Sequence, residues 1–145
     1  MSSQNLVQYL ETGVGTSTMN RGTTQWFLAS GAIVKGDAVS FDLAQSVDGD
    51  KTLFVIKSST TALERAFVGI ALDSVADGEK VKVQTSGFFE NANVGGTTIA
   101  GSQLCLSGVA GQLLLYATGG INPIVAFATE ADTANLADIV IVRRF

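Results

Sequence analysis

The sequence predicts an all-β fold: a single compact β-barrel or sandwich with an extended N-terminal arm and at most short helical connectors. From about residue 25 onward, apolar runs of about four to seven residues, rich in Val, Ile, Phe, Leu and Thr, alternate with Gly, Asp, Asn and Ser. The runs start about every 10 to 15 residues, which is the spacing typical of sandwiches and small barrels. Helix-tolerant composition is confined to residues 59–65 and 130–136, each about two turns long at most.

The candidate strands follow from this alternation of apolar runs and turn residues. They are residues 25–29, 38–43, 52–57, 66–72, 80–85, 103–107, 112–116, 124–128 and 139–143. Asp48-Gly49-Asp50 and Asp77-Gly78 supply the turn chemistry of hairpins. Pro123 opens a strand, where its missing N–H costs no ladder bond.

The side-chain pattern within the strands predicts which faces are covered. In residues 80–85 the valines alternate with lysines and glutamine, so one face should be buried and the other wet. Residues 67–72 and 139–142 have no polar face, and both of their sides should be covered, in the centre of the fold or at an interface.

The chain divides into an N-terminal arm, residues 1–24, and one β domain, residues 25–145. The arm has too few apolar residues for a core, but Leu6, Tyr9 and Leu10 could order against a neighbour's sheet edge. Within the domain, residues 31–89 and 97–145 share a similar order of strands and turns, which suggests a pseudo-duplication. Any two strand–turn–strand units look partly alike, so the pattern also fits an unduplicated β domain.

Composition restricts the classes of partner. Of 145 residues, 46% are hydrophobic and 15% are charged, against about 25% charged in typical globular domains, so protein must cover much apolar surface. No apolar run approaches the about 18 residues that a membrane helix needs. A net charge of −4 disfavours nucleic acid as a partner. The segment Met1–Asn5 lacks the features of a secretory signal, so export by that route is not expected.

Residues that could carry catalysis or ligate metal are scarce. The chain has no histidine, which removes the commonest general base and most transition-metal sites, and the acids lie at predicted turns or strand ends. Neither Asp48-Gly49-Asp50 nor residues 13–18 completes a calcium or phosphate loop. Cys105, the single cysteine, is expected to be a small buried hydrophobe. We therefore expect no enzyme, cofactor or metal.

Two features predict long-lived contacts with other protein chains. Residues 91–129 contain no Asp, Glu, Lys or Arg, and depletion of charge is characteristic of the centre of a stable interface. Phe88 and Phe89 are adjacent, so in a strand they point to opposite faces, and one of them should meet a neighbouring subunit.

The order of several short motifs resembles the small capsid decoration (cement) proteins of tailed bacteriophages. These motifs are Val34-Lys35-Gly36-Asp37-Ala38-Val39, Phe67-Val68-Gly69-Ile70-Ala71-Leu72, Ala76-Asp77-Gly78-Glu79-Lys80-Val81-Lys82-Val83 and Gly87-Phe88-Phe89. The resemblance covers about residues 31–89. It implies a barrel or tulip-like fold that sits on the outer capsid surface, commonly as a trimer, and reinforces the shell. The longer arm and residues 45–63 depart from the family pattern.

The expected function is that of a non-enzymatic virion protein, assembled in the host cytoplasm, that binds the outside of a phage capsid and cements adjacent capsomers. Its partners would be the major capsid protein and further copies of the chain, as a trimer, with no nucleic acid and no membrane. The expected contact residues are Leu6, Tyr9, Leu10, Phe88 and Phe89. The alternative is a carbohydrate-binding or adhesive β-module of a fibre or surface assembly, with Trp26 or Tyr116 as the stacking group.

Overall fold

The computed structural model describes residues 22–117 and 122–142. Within these ranges the chain consists of β-strands, turns and one 3-10 turn, Asp50–Thr52, so the all-β prediction is confirmed. No α-helix occurs in the described ranges, and residues 59–65 and 130–136 run through turns and bends up to the start of the last strand. The strands are β1 (Thr23–Ala29), β2 (Ala38–Phe41), β3 (Phe54–Lys57), β4 (Phe67–Ala71), β5 (Lys80–Gly95), β6 (Gln103–Leu106), β7 (Leu113–Leu115), β8 (Ile124–Ala128) and β9 (Leu136–Ile141).

The strands form two rings of pairings that share β5. In the first ring, β1 pairs with β3 in parallel, and antiparallel pairings then run β3–β2, β2–β4, β4–β5 and β5–β1. In the second ring, β5 pairs with β7 in parallel, and antiparallel pairings run β7–β6, β6–β8, β8–β9 and β9–β5. The two halves therefore have the same pairing order, with β5 serving as the last strand of one and the first of the other.

The likeness between the halves extends to local irregularities. The β2–β4 ladder shifts register after Val39, and the β6–β8 ladder shifts after Leu104. The turn before β2 contains Gly36 at φ 95°, and the turn before β6 contains Gly101 at φ 85°. Left-handed backbone of this kind favours glycine, because it has no Cβ. We propose that the two halves descend from one duplicated unit.

Strand β5 is longer than the sequence pattern indicated, because it continues past residue 85 to Gly95. Its first part pairs with β1 and β4, and from Gly87 onward it pairs with β9 and β7. Gly87 has a φ of 91°, which lets the strand change direction between the two rings. The single strand thereby fixes the second half relative to the first.

Two buried clusters form the core. The first lies inside the first ring and contains Phe27, Ala29, Ile33, Val39, Val55, Val68, Ala71, Val81 and Val83. The second joins residues of the second ring to others of β2 and β4, and contains Ala38, Phe67, Ile70, Phe89, Ala92, Val94, Leu104, Leu106, Leu113, Val125, Ala126, Ala128, Ala137, Ile139 and Ile141. In β4, Phe67 and Ile70 belong to the second cluster and Val68 and Ala71 to the first, so the strand is covered on both sides and all five of its residues are buried.

Several boundaries differ from the sequence prediction. Strand β1 begins at Thr23, so Thr23 and Thr24 belong to the domain rather than to the arm. The sequence pattern predicts that residues 139–142 are covered on both faces, in the centre of the fold or at an interface. Within the chain only one face is covered, because Val140 is 38% exposed, so the central alternative is excluded and the interface alternative stays a prediction. The continuous apolar run concealed an ordinary alternation in which Ile139 and Ile141 face the core. No helix in the described ranges is long and apolar enough to cross a membrane.

Acid should destabilise the fold partly through Asp42, a buried carboxylate at the end of β2. Burial raises the pKa of Asp42, but hydrogen bonds from the Ser30 side chain, from Gln45 Nε2 at 2.7 Å and from Ala44 N at 3.1 Å outweigh it, so the pKa lies below its usual value. Because its pKa is lower in the folded state, the ionised carboxylate stabilises the fold at pH values above the unfolded-state pKa. That stabilisation is lost as the pH falls through the folded-state value.

We therefore expect the free energy of unfolding to fall as the pH drops from about 5 through the unfolded-state pKa of 3.8 and on through the lower folded-state pKa, with a smaller fall in Asp42→Asn, which has no carboxylate to protonate. Urea titrations at several pH values measure this. The exposed Asp73→Asn variant is the matched control and should retain the wild-type fall. An Asp42→Asn variant with the wild-type pH dependence would contradict the assignment.

Candidate functional site

An apolar row crosses three adjacent strands on the outer face of the second ring. Phe88 of β5 pairs with Val140 of β9, and Val140 pairs with Phe127 of β8. Directly paired residues of an antiparallel ladder point to the same face, so the three side chains are neighbours. Val140 is 38% and Phe127 39% exposed, and Phe88 is half-buried. We call these three residues the Phe127 row.

Strand alternation explains why these side chains face outward. In β9, Ala137, Ile139 and Ile141 enter the core, which leaves Val140 on the opposite face. In β8, Ala126 and Ala128 are buried on either side of Phe127. Small and aliphatic residues thus occupy the interior positions, while the bulkiest side chain of β8 faces solvent.

Polar side chains border the row, and one of them, Asp138, is hydrogen-bonded within the chain. Gln103 of β6 pairs with Phe127 and continues the row without charge. Asp138 lies two residues before Val140 on the same strand, and its Oδ1 accepts a hydrogen bond from Asn91 N at 3.0 Å. An apolar centre with a hydrogen-bonded polar rim is the composition of a protein interface.

The structure separates the two phenylalanines predicted for the interface. Phe89 is 3% exposed and belongs to the core cluster of the second ring, so its side chain does not reach the outer surface. Phe88 lies on the opposite face, in the Phe127 row. Sequence reasoning did not identify Val140 and Phe127. The alternation Ala126-Phe127-Ala128 was the available signal for Phe127, because small residues flank one large outward side chain.

The uncharged segment 91–129 contributes to both the core and the surface. Leu104, Leu106 and Leu113 are buried in the second cluster. Its largely exposed apolar side chains are Ile99, Val109, Leu114, Leu115 and Phe127. Among residues 91–117 and 122–129, the charge-free sequence therefore does not simply reflect burial within the chain.

The predicted arm contacts Leu6, Tyr9 and Leu10 lie outside the described residues. The sheet that such an arm would join can be assessed, because every named strand pairs with two others over at least part of its length. The described parts of the domain thus hold no strand that lacks a second neighbour.

A second exposed surface lies on the outer face of the first ring, around Trp26. The Trp26 side chain is 61% exposed, and Lys82 Nζ lies 5.9 Å from the centroid of its ring. A groove of about 470 Å³ beside the ring is lined by Trp26, Phe27, Leu28, Leu53 and Lys80. We call this surface the Trp26 groove. Tyr116, the other aromatic proposed for stacking, is half-buried at the end of the second ring.

Two kinds of reactive group can be assessed in the described ranges: metal-ligating clusters and the cysteine thiol. No cluster of three or more metal-ligating side chains occurs there. Cys105 is buried as predicted, and burial raises the pKa of its thiol, which keeps it protonated and unreactive.

Comparison with known proteins gives a likeness of fold. No protein-family model matches the chain, and no curated protein matches it. Among solved structures, the head fiber gp8.5 N base of bacteriophage phi29 superposes with a TM-score of 0.53. The match covers 84% of this chain and 95% of that one, at 13% sequence identity. The two chains thus share an architecture across nearly the whole length of that N-base chain.

Proposed function

We propose that this chain is a non-enzymatic structural protein of a phage virion that binds the outer surface of the assembled capsid and stabilises adjacent capsomers. The observation that carries the proposal is the likeness of its fold to a phage head fiber base, over 95% of that chain. The order of decoration-protein motifs in residues 31–89 supports the same class of protein.

The Phe127 row supplies the contact surface in this proposal. Covering apolar side chains contributes about 25 cal/mol for each Å² removed from water. The row carries no charge that would have to be desolvated, and the neighbouring Asp138 already accepts a hydrogen bond from Asn91 N. The proposed partners are the major capsid protein and further copies of this chain, as a trimer on the capsid.

Stabilisation of the shell would come from repetition. A capsid offers many equivalent sites, and a protein that contacts two capsomers at once gains from the high effective concentration of the second site. Each contact can then be weak while the occupied lattice resists expansion. No bond-making chemistry is required of the chain.

The test is cosedimentation of the purified chain with capsids that lack it, followed by thermal release of DNA from bare and decorated particles. We expect saturable binding and release of DNA at a higher temperature from decorated particles. The double variant Phe127→Gln/Val140→Thr should bind about tenfold more weakly or worse, because central apolar anchors carry most of an interface's energy.

A matched control removes exposed apolar side chains elsewhere. Val47 and Leu63 are 58% and 50% exposed in loops outside the row, so Val47→Thr/Leu63→Gln should bind as wild type does. Absence of binding by the wild-type chain would refute the proposed function. Equal loss of binding in both double variants would refute the role of the Phe127 row, but the proposal that the wild-type chain binds capsids would still stand.

A further inference from the structure

Trp26 is exposed and takes no part in the core packing of the first ring. Its neighbour Phe27 enters the core and makes an edge-to-face contact with Phe41, at 6.0 Å between ring centroids. Trp26 points the other way and leaves most of a large aromatic surface in water, which is unfavourable unless something covers it. The tryptophan thus marks a surface that serves binding rather than folding.

Positive charge is concentrated around this ring. Cross-strand pairing sets Lys82 opposite Trp26 and Lys80 opposite Leu28, so both lysines share the outer face with the ring. Among the described residues, the ion pairs are formed by Lys51 and Lys57, and neither Lys80 nor Lys82 has a carboxylate partner. Two like charges two residues apart on one strand face repel each other, and an anion would relieve that repulsion.

The groove at Trp26 and a second groove at Lys82 have the size of ligand sites. The Trp26 groove, at about 470 Å³, contains no acidic residue among those that line it. On the Lys82 side lies a second groove of about 390 Å³, whose lining includes Lys35, Lys82, Gln84 and one acid, Glu90. Both volumes fall within the range of about 300–1,000 Å³ found for small-ligand sites.

We propose that the Trp26 groove binds an acidic saccharide. The sugar ring would lie with its C–H face against the exposed indole, and its carboxylate or phosphate substituents would meet Lys80 and Lys82. Lys82 Nζ lies over the indole ring, 5.9 Å from its centroid, and Lys80 lines the groove beside the ring. An acidic sugar fits this arrangement, since its apolar face can meet the part of the indole left exposed while its anionic edge meets the two lysines. A nucleic acid fits poorly, because a chain of net charge −4 repels a polymer of high charge density.

The proposed site is separate from the residues tested for capsid binding. Phe127 and Val140 lie on the second ring, whereas Trp26 and Lys80 lie on the first. Phe88 lines the groove on the Lys82 side, so it is left unchanged in both experiments. A decorated capsid could therefore bind saccharide while the Phe127 row remains covered.

The first experiment applies the purified chain to an array of sialylated, uronic-acid and phosphorylated glycans and their neutral parent glycans. Binding to acidic members, weakened by added salt, is the expected result. Trp26 is the single tryptophan of the chain, so a change in tryptophan emission on adding the strongest binder would report directly on the site. Binding to no acidic glycan, or equal binding to acidic and neutral ones, would overturn the proposal.

Variants identify the groups that bind. Trp26→Ala should weaken binding about tenfold or more, and Trp26→Phe should restore part of it, because a smaller ring still stacks. Lys80→Gln/Lys82→Gln should abolish the preference for acidic over neutral glycans. Lys51→Gln, which changes a lysine paired with Asp48 elsewhere, is the matched control and should bind normally. Thermal unfolding of each variant checks that the fold is retained.

Other ligands are distinguished by competition and by capsid binding. An acidic peptide or a single-stranded oligonucleotide that displaces the glycan at equal charge concentration would overturn the saccharide assignment in favour of a general anion site. Trp26→Ala should still cosediment with capsids. If it loses capsid binding and the wild-type chain binds no glycan, the groove is a contact with the shell instead.

Discussion

Replacing Gly69 with alanine is expected to lower the free energy of unfolding by about 3 kcal/mol or more. Gly69 lies in the middle of β4, which is bounded by β2 on one side and β5 on the other. A Cβ at this position would overlap the carbonyl oxygen of Gln84, and would also lie 2.8 Å from its carbonyl carbon and 2.9 Å from Val83 Cγ1. Relief would require separating backbone from backbone in the core.

Strand geometry by itself does not require glycine at this step. Gly69 pairs with Val39 beside the register shift of the first ring, and in the second ring Ala126 pairs with Leu104 beside the corresponding shift. An alanine can therefore occupy the position beside a register shift of this kind. The close approach of Gln84 in the first ring is what excludes it there.

Urea unfolding followed by circular dichroism measures the effect, and absence of a cooperative transition in Gly69→Ala counts as the large loss. The matched control is Gly49→Ala. Gly49 has a φ of −63° and ψ of −34°, and no atom lies within 4 Å of the position that an alanine Cβ would occupy, so alanine should be neutral or stabilise by up to about 1 kcal/mol. A Gly69→Ala variant within about 1 kcal/mol of wild type would contradict the packing argument.

Replacing Asp37 with alanine is expected to cost about 3 kcal/mol, because this carboxylate joins the two rings. Its side chain is 6% exposed, and one oxygen lies 3.2 Å from Lys57 Nζ. Val34 N donates to the same oxygen at 3.0 Å, and Asn93 Nδ2 donates to the other at 3.1 Å. Removing the carboxylate leaves a partly buried ammonium and two donors without their acceptor.

The second ring suggests a variant that separates the two roles of Asp37. There, Ser102 holds the corresponding turn by accepting a hydrogen bond from Ile99 N at 3.0 Å. Asp37→Ser should therefore keep the turn but lose the bonds to Lys57 and Asn93. Its stability should lie between those of wild type and Asp37→Ala, as measured by urea unfolding.

The control for the charge effect is Asp48→Ala. Asp48 pairs with Lys51 at 2.9 Å, but its side chain is 96% exposed, and solvent screens such pairs. No measurable change in the unfolding midpoint is expected. If Asp37→Ala is as mild as Asp48→Ala, the buried carboxylate does not stabilise the junction between the rings.

The sequence alone determined where the nine strands lie, because strand formation depends on local alternation and turn chemistry, but it did not show that β5 continues to Gly95. Each of the nine predicted segments overlaps a strand of the described chain, and the fully apolar residues 67–71 are buried on both faces. The opposite orientations of Phe88 and Phe89 follow from the two-residue period in the same way. The absence of charge from residues 91–129 indicated an unusual surface before any contact was known.

Tertiary structure alone decided which residues meet. The Phe127 row depends on the registers of β5, β9 and β8, and the surface around Trp26 depends on the register that sets it opposite Lys82. A shift of one residue would turn each of these side chains to the other face. Asp37 and Lys57, likewise, are brought together by the return of the chain through a hairpin. Register depends on packing between all strands of a ring, and these contacts join residues far apart in the sequence. No single segment of the sequence can therefore specify it.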